Sequence, residues 1–390
     1  MAQATGRLHR LLFSLTLAGA LLAARPAGAF SVVAHLEAID ASWDRQLAAL
    51  LERRFGHLTP AQLREARAYA YGGALIQDLG YYPFGSHFFT NLTHYVRSGE
   101  FVDSLIRDAA DPDQYAFALG ALAHYAFDNA GHPLAVNRAV PMMYPKVRAK
   151  VGSTALYVDS PARHIMVEFA YDVLQVARGD YLAQDYRDRI GFQVSKPLLA
   201  RAFQETYGLA LEDVFTDVDL AIGTYRHAVG TTIPDLTRVA WKEKHDEIVA
   251  RTPDVSEQSF VYLLTRQQYE RDYGTKYRKP SFLARTIGLL YKILPKIGPF
   301  RPLAFEPLTA DVEAMFNESV AAARSRYRAS LAALGTGRLR LADTDFDTGR
   351  TREAGVNRLA DKTYAEWRQR LAKQGRTAPS PAVARVEPAR

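Results

Sequence analysis

His124-Tyr125-Ala126-Phe127-Asp128-Asn129-Ala130-Gly131-His132, followed further along the chain by His164-Ile165-Met166-Val167-Glu168, is the stretch that decides the fold. Both pieces set an imidazole and a carboxylate four residues apart. On a helix, residues at that spacing stand one above the other on a single face. The flanking residues are apolar, so these faces point into a core. A buried carboxylate needs a cationic partner, yet the sequence from Asp108 to Asn137 contains neither lysine nor arginine. Histidine nitrogen and carboxylate oxygen are ligands that zinc accepts where no thiolate is offered. A divalent metal held between packed helices meets both requirements.

Working outward, helix starts recur with one grammar. Thr59-Pro60-Ala61-Gln62 and Asp111-Pro112-Asp113-Gln114 each offer a capping side chain, proline at the first helical position and a glutamine three residues after the cap. Ser160-Pro161 starts another helix, which Gly179 ends. Apolar residues follow at helical spacing, as in Tyr115, Leu119, Leu122 and Tyr125. Strand signals are scarce and no internal repeat is present. The fold class expected is all-α, helical from about residue 36 to about 330. Thr309 to Leu334 reads as one more helix.

The chain has 390 residues, enough for one large domain or two. Its 48% hydrophobic and 23% charged content is ordinary for a folded protein. The formal charge is +7; Arg7, Arg10 and Arg25 carry three of those charges in an acid-free leader. The mild, dispersed remainder gives weak support for nucleic acid and is equally compatible with an anionic membrane surface. Leu11 to Ala24 is an apolar run behind a basic start, and Ala27-Gly28-Ala29 is a small-residue cleavage site. Residues 1–29 are therefore expected to be a signal peptide, with Phe30 the mature N-terminus and the protein exported. There is no cysteine, which excludes disulfides and cysteine lipidation.

Four segments are expected: the leader 1–29, a metal-binding helical domain 30–275, a helical extension 276–374 and a disordered tail 375–390. Within the extension, Phe282 to Leu294 reads as a short basic amphipathic helix, packed on the core or lying on a membrane. Asp343-Thr344-Asp345-Phe346-Asp347-Thr348-Gly349 looks like the start of a calcium loop, but its glycine is one place late and Ala354 replaces the closing glutamate. It is read as a loop or a helix cap.

The ordered set His35, Gly73…Asp78, His87, His124-x-x-x-Asp128, Gly131-His132-Pro133 and His164-x-x-x-Glu168 resembles the zinc-dependent phospholipase C family, over roughly residues 30 to 175. The resemblance implies a multi-helical phospholipase C/nuclease-like domain with three zinc ions. One ion would take Asp78, His87, His124 and Asp128. A second would take His132, His164 and Glu168. The third would take His35, an oxygen of Asp128, and the amino group and carbonyl of Phe30, where the family's secreted enzymes have tryptophan. His94 competes with His87; His87 is preferred because Pro83, Phe84 and Gly85 place it in a turn after Asp78. Asp78 is also the candidate to orient or deprotonate the attacking water. Tyr81 and Tyr82 either line a head-group pocket or belong to the core. The activity implied is hydrolysis of phospholipids, with no protein partner implied. A nuclease or nucleotidase with the same cluster, and a non-catalytic zinc-stabilised binding protein, are the alternatives; no basic run accompanies the ligands to favour nucleic acid.

Overall fold

A computed structural model of the chain describes residues 32–178, 192–251, 256–257 and 307–379. The leader, Phe30, the basic stretch 282–294 and residues 380–390 lie outside the described residues. What is described is helical, apart from one short hairpin. In chain order the helices are α1 (Val32–Ser42), α2 (Ala48–Phe55), α3 (Pro60–Ala74), α4 (His87–Tyr95), α5 (Ser98–Asp108), α6 (Pro112–Gly131), α7 (Asn137–Met143), α8 (Pro145–Val151), α9 (Pro161–Arg178), α10 (Lys196–Tyr207) and α11 (Val218–Arg251). Two more, α12 (Ala310–Gly335) and α13 (Arg358–Lys373), flank the hairpin of β1 (Thr344–Asp345) and β2 (Arg350–Thr351). Thr344 pairs with Thr351 and Asp345 with Arg350, antiparallel.

The capping grammar is realised. Thr59 and Gln62 form a reciprocal capping box at the start of α3. Asp111 accepts the Gln114 amide at the start of α6 (2.8 Å), and Thr309 accepts that of Val312 at the start of α12 (3.4 Å).

Helix α6 is the hub. From Tyr115 to Gly131 every residue except Tyr125 is buried, as expected of a helix surrounded on all sides. It packs on α1, α3, α5 and α12. The approach of α3 is closest, and glycine permits it. A Cβ on Gly73 would lie 2.0 Å from the Phe117 carbonyl oxygen, and one on Gly120 would lie 2.1 Å from that of Ala70.

The first helix is tied to the ninth. The backbone N–H groups of Val32 and Val33 both donate to the Asp172 carboxylate, at 3.2 and 2.9 Å. Those groups are orphan donors at a helix start, where a carboxylate is favoured. Asp172 lies one turn beyond Glu168, so the bond sets His35 against the helix that carries His164.

Packing does not stop at residue 275. Val312, Phe316, Tyr327 and Trp367 belong to the same buried cluster as the α3–α6 core. The Tyr327 hydroxyl donates to the Leu119 carbonyl at 3.0 Å. The start of the tail is also engaged, since Arg97 donates to the Pro379 carbonyl at 2.8 Å.

Candidate metal centre

Helices α1, α4, α6 and α9 and the 3-10 turn Ile76–Tyr81 send their histidines and acids to one place. His35, Asp78, His124, Asp128 and His164 have no exposed surface, and His94, His132 and Glu168 are nearly as deep. Asp128 is the focus. Its Oδ1 lies 3.1 Å from His35 Nε2. Its Oδ2 lies 3.1 Å from His124 Nε2, 3.3 Å from His94 Nε2 and 3.5 Å from His132 Nε2. Asp78 joins from the other side, 3.4 Å from His94 Nε2 and 3.9 Å from His124 Nδ1.

Neither oxygen of Asp78 or Asp128 receives a donor with acceptable angles, and the same holds for both Glu168 oxygens and both His164 nitrogens. Lone pairs that converge on common points without facing donors are the arrangement a cation needs. Buried polar groups otherwise find partners. Among the described residues, the ion-pair contacts of Asp78, Asp128 and Glu168 all come from histidine.

Two histidines show how the scaffold aims its donors. His124 Nδ1 meets the Ala74 carbonyl at 3.0 Å, an oxygen left over at the end of α3. His94 Nδ1 meets the Thr90 carbonyl at 2.9 Å. A backbone carbonyl on Nδ1 fixes the tautomer and leaves the Nε2 lone pair for metal. The two Nε2 atoms then stand 3.3 Å apart, a repulsive contact unless a proton or a cation lies between them. Thr90 holds the Asp78 turn to α4 as well. Its hydroxyl donates to the Gln77 carbonyl (2.7 Å) and accepts from the Gly80 amide (2.8 Å).

Electrostatics follow from burial and proximity. Burial alone would depress His94, but Asp128 and Asp78 together push it up to about 10. His132 is likewise carried against its burial to about 9, by Asp128 and Glu168. Burial and the neighbouring His124 lower His35, and burial with His132 lowers His164 strongly. Burial would raise Asp128, but His124, His132 and His35 hold it well below the usual carboxylate range. Burial pushes Glu168 well up.

Three groups of donor atoms lie close enough to share an ion: Asp78, His94 and His124; His35, His124 and Asp128; and His132, His164 and Asp347. Within each, the atoms lie within 4.8 Å of one another. Glu168 flanks the last, its Oε1 3.9 Å from His132 Nδ1. Nitrogen and oxygen donors without thiolate fit zinc.

The structure departs from the expected ligand set at two positions. His87 is exposed, with its ring 5.7 Å from that of Tyr81, while His94 is buried in the cluster. Both sit on one stripe of α4, seven residues or roughly 10 Å apart along the axis. The helix starts at the surface and runs inward, so depth selects the second histidine. The other position is Asp347, which the sequence offered only as part of a loop. The aspartates of that loop do not gather round calcium. Asp343 accepts the Glu100 amide in the first turn of α5 (3.0 Å), and Asp345 accepts the Asp347 amide (2.9 Å). Asp347 turns inward. No sequence spacing links it to the ligands; its one signal is a carboxylate beside the apolar Phe346.

Immediately after His132 the backbone widens into a π-helical turn, His132–Val136. Pro133 has no N–H for the Asn129 carbonyl, which instead accepts from Arg326 at 2.9 Å. Such turns recur at functional sites. Tyr81 and Tyr82 are both core residues; Tyr81 packs toward His94 and Tyr157, and Tyr82 stands edge-on to Tyr225.

An all-helical domain with a buried histidine and carboxylate cluster is a scaffold suited to holding metal ions. Residues 34–217, just under half of the chain, match the zinc-dependent phospholipase C family. No curated protein and no solved structure matches at a significant level.

Proposed function

We propose that the protein is an exported phosphodiesterase that cleaves phospholipids at the bond between phosphate and diacylglycerol. The match of residues 34–217 to the zinc-dependent phospholipase C family supports hydrolase chemistry of this general type. The observation that carries the proposal is the pair of Nε2 atoms of His94 and His124, 3.3 Å apart between Asp78 and Asp128, with all four side chains buried. Bound zinc supplies hydroxide at neutral pH and screens charge on a phosphoryl oxygen.

The chain's own residues do the rest. The Ala74 and Thr90 carbonyls hold His124 and His94 in the one tautomer that presents Nε2. Asp78 orients the attacking water and takes its proton. As the water oxygen bonds to phosphorus, the bond to the glycerol oxygen breaks, and the proton taken by Asp78 passes to that oxygen so that diacylglycerol leaves as the neutral alcohol. Removal of the leader after Ala29 would leave Phe30, to which the resemblance assigns a place at the ion nearest His35, so export and activity would be coupled. No described helix is long and apolar enough to cross a membrane; the substrate is met at the lipid surface.

The test is release of phosphorylated head group from phosphatidylcholine and other glycerophospholipids by the purified mature chain. Release should stop with chelator and return with zinc. Asp78→Asn should abolish release while the chain stays folded. No chelator-sensitive release from any glycerophospholipid would refute the proposal.

A further inference from the structure

The residue that the expected ligand set omits comes from outside the family segment. Asp347 lies between β1 and β2, far past residue 217. It is 1% exposed. One oxygen has a structural task, since Oδ2 accepts the Tyr157 amide at 2.8 Å. The other, Oδ1, is buried and takes no hydrogen bond. A donor atom of Asp347 lies within 4.8 Å of ring nitrogens of both His132 and His164. Neither nitrogen of His164 has a hydrogen-bond partner either.

The hairpin is fixed tightly enough for this arrangement to be built in. The Asp347 carbonyl accepts from the Asn137 side chain at 2.6 Å, and its amide donates to Asp345 at 2.9 Å. Phe346, fully buried, packs its ring 5.1 Å from that of His94 and 6.1 Å from that of His124. Gly349 adopts φ +66°, and a Cβ there would lie 2.8 Å from the Asn129 carbonyl oxygen. The turn is therefore seated directly on the end of α6, beside His132.

We propose that Asp347 is a ligand of the metal held by His132 and His164, so that the C-terminal hairpin completes a site the family segment leaves one donor short. This rests on the proposed function insofar as that reading puts metal at the cluster. Structural zinc sites have four protein ligands, whereas catalytic sites keep a position open. Glu168 stands alongside, its Oε1 3.9 Å from His132 Nδ1, so Asp347 adds a third donor from beyond the family segment to the pair His132 and His164.

The experiment is elemental analysis of the full mature chain and of Asp347→Asn after dialysis against a competing chelator. Circular dichroism should show both to be folded. Wild type is expected to retain its metals and Asp347→Asn to hold one fewer. Asp345→Asn, in the same hairpin but bonded to backbone amides, should keep the wild-type number. Equal retention by wild type and Asp347→Asn overturns this inference alone. Wild type without metal overturns it together with the proposed function. Should Asp347→Asn not fold, zinc-edge anomalous scattering from wild-type crystals decides. An ion within about 2.2 Å of Asp347 Oδ1 is the expected result, and one beyond hydrogen-bond distance overturns the inference.

Discussion

Replacing Gly120 with alanine should damage the metal centre from a distance. The added Cβ would sit 2.1 Å from the Ala70 carbonyl oxygen and 2.7 Å from the Ala74 nitrogen, where ordinary contact begins at 3.4 Å. Both obstacles are backbone, so no side chain can rotate away. Helices α3 and α6 must separate by roughly 1 Å, and overpacking of this kind costs about 1–3 kcal/mol. That corresponds to a fall in Tm of roughly 2–10 °C. A second effect follows, because α3 also supplies the Ala74 carbonyl that holds His124 Nδ1 at 3.0 Å. Loss of such an orienting bond weakens metal binding by about 10–100-fold. The assays are thermal unfolding by circular dichroism and zinc retention against a competing chelator. Gly335→Ala is the control: a Cβ there meets only the Leu50 side chain at 3.5 Å and that of Arg53 at 3.7 Å. A Gly120→Ala protein that melts with the parent and holds zinc as tightly would refute the reasoning.

Two further outcomes are expected. His94→Ala should strip metal from the chain, while exposed His87→Ala should retain it and change stability by no more than about 0.5 kcal/mol; elemental analysis of the two variants reverses the assignment if the losses are exchanged. In the chelated protein, His94 and His132 are raised to about 10 and about 9, above their unfolded value of about 6.5. Their contribution to stability is complete below about pH 6.5 and lost as pH rises through 9–10. Denaturant titrations of chelated protein should show that loss. Zinc uptake at pH 8 should release protons, those of His94 and His132 among them, since ligands must be deprotonated; a stability that climbs between pH 7 and 10 without metal would contradict this.

The helical architecture was legible because its signals are local. Thr59, Asp111 and Thr309 each declare a helix start within four residues, and the long apolar stretch around His124 declares a helix buried on all sides. The i, i+4 pairs likewise identify His124 with Asp128 and His164 with Glu168 as facing inward. What could not be read was depth and distance. His87 and His94 share one stripe, and only the tilt of α4 into the core distinguishes them. The partition of Asp343, Asp345 and Asp347 among three tasks depends on where α5, Tyr157 and His132 lie in space. The closeness of α3 and α6 is written in Gly73 and Gly120, but a glycine in a helix does not say which backbone it admits.

The link from the Asn137 side chain to the Asp347 carbonyl spans 210 positions of sequence. Contacts so remote close late, after local helices have formed, because chain ordering precedes the reward. During synthesis the first histidines must therefore wait, already helical but without their last neighbour, until residue 347 has emerged. Shielding of the cluster by Phe346 arrives in that same final event. Loss of the chain from residue 341 onward would thus leave a chain that still reads as the family segment but has an open cluster.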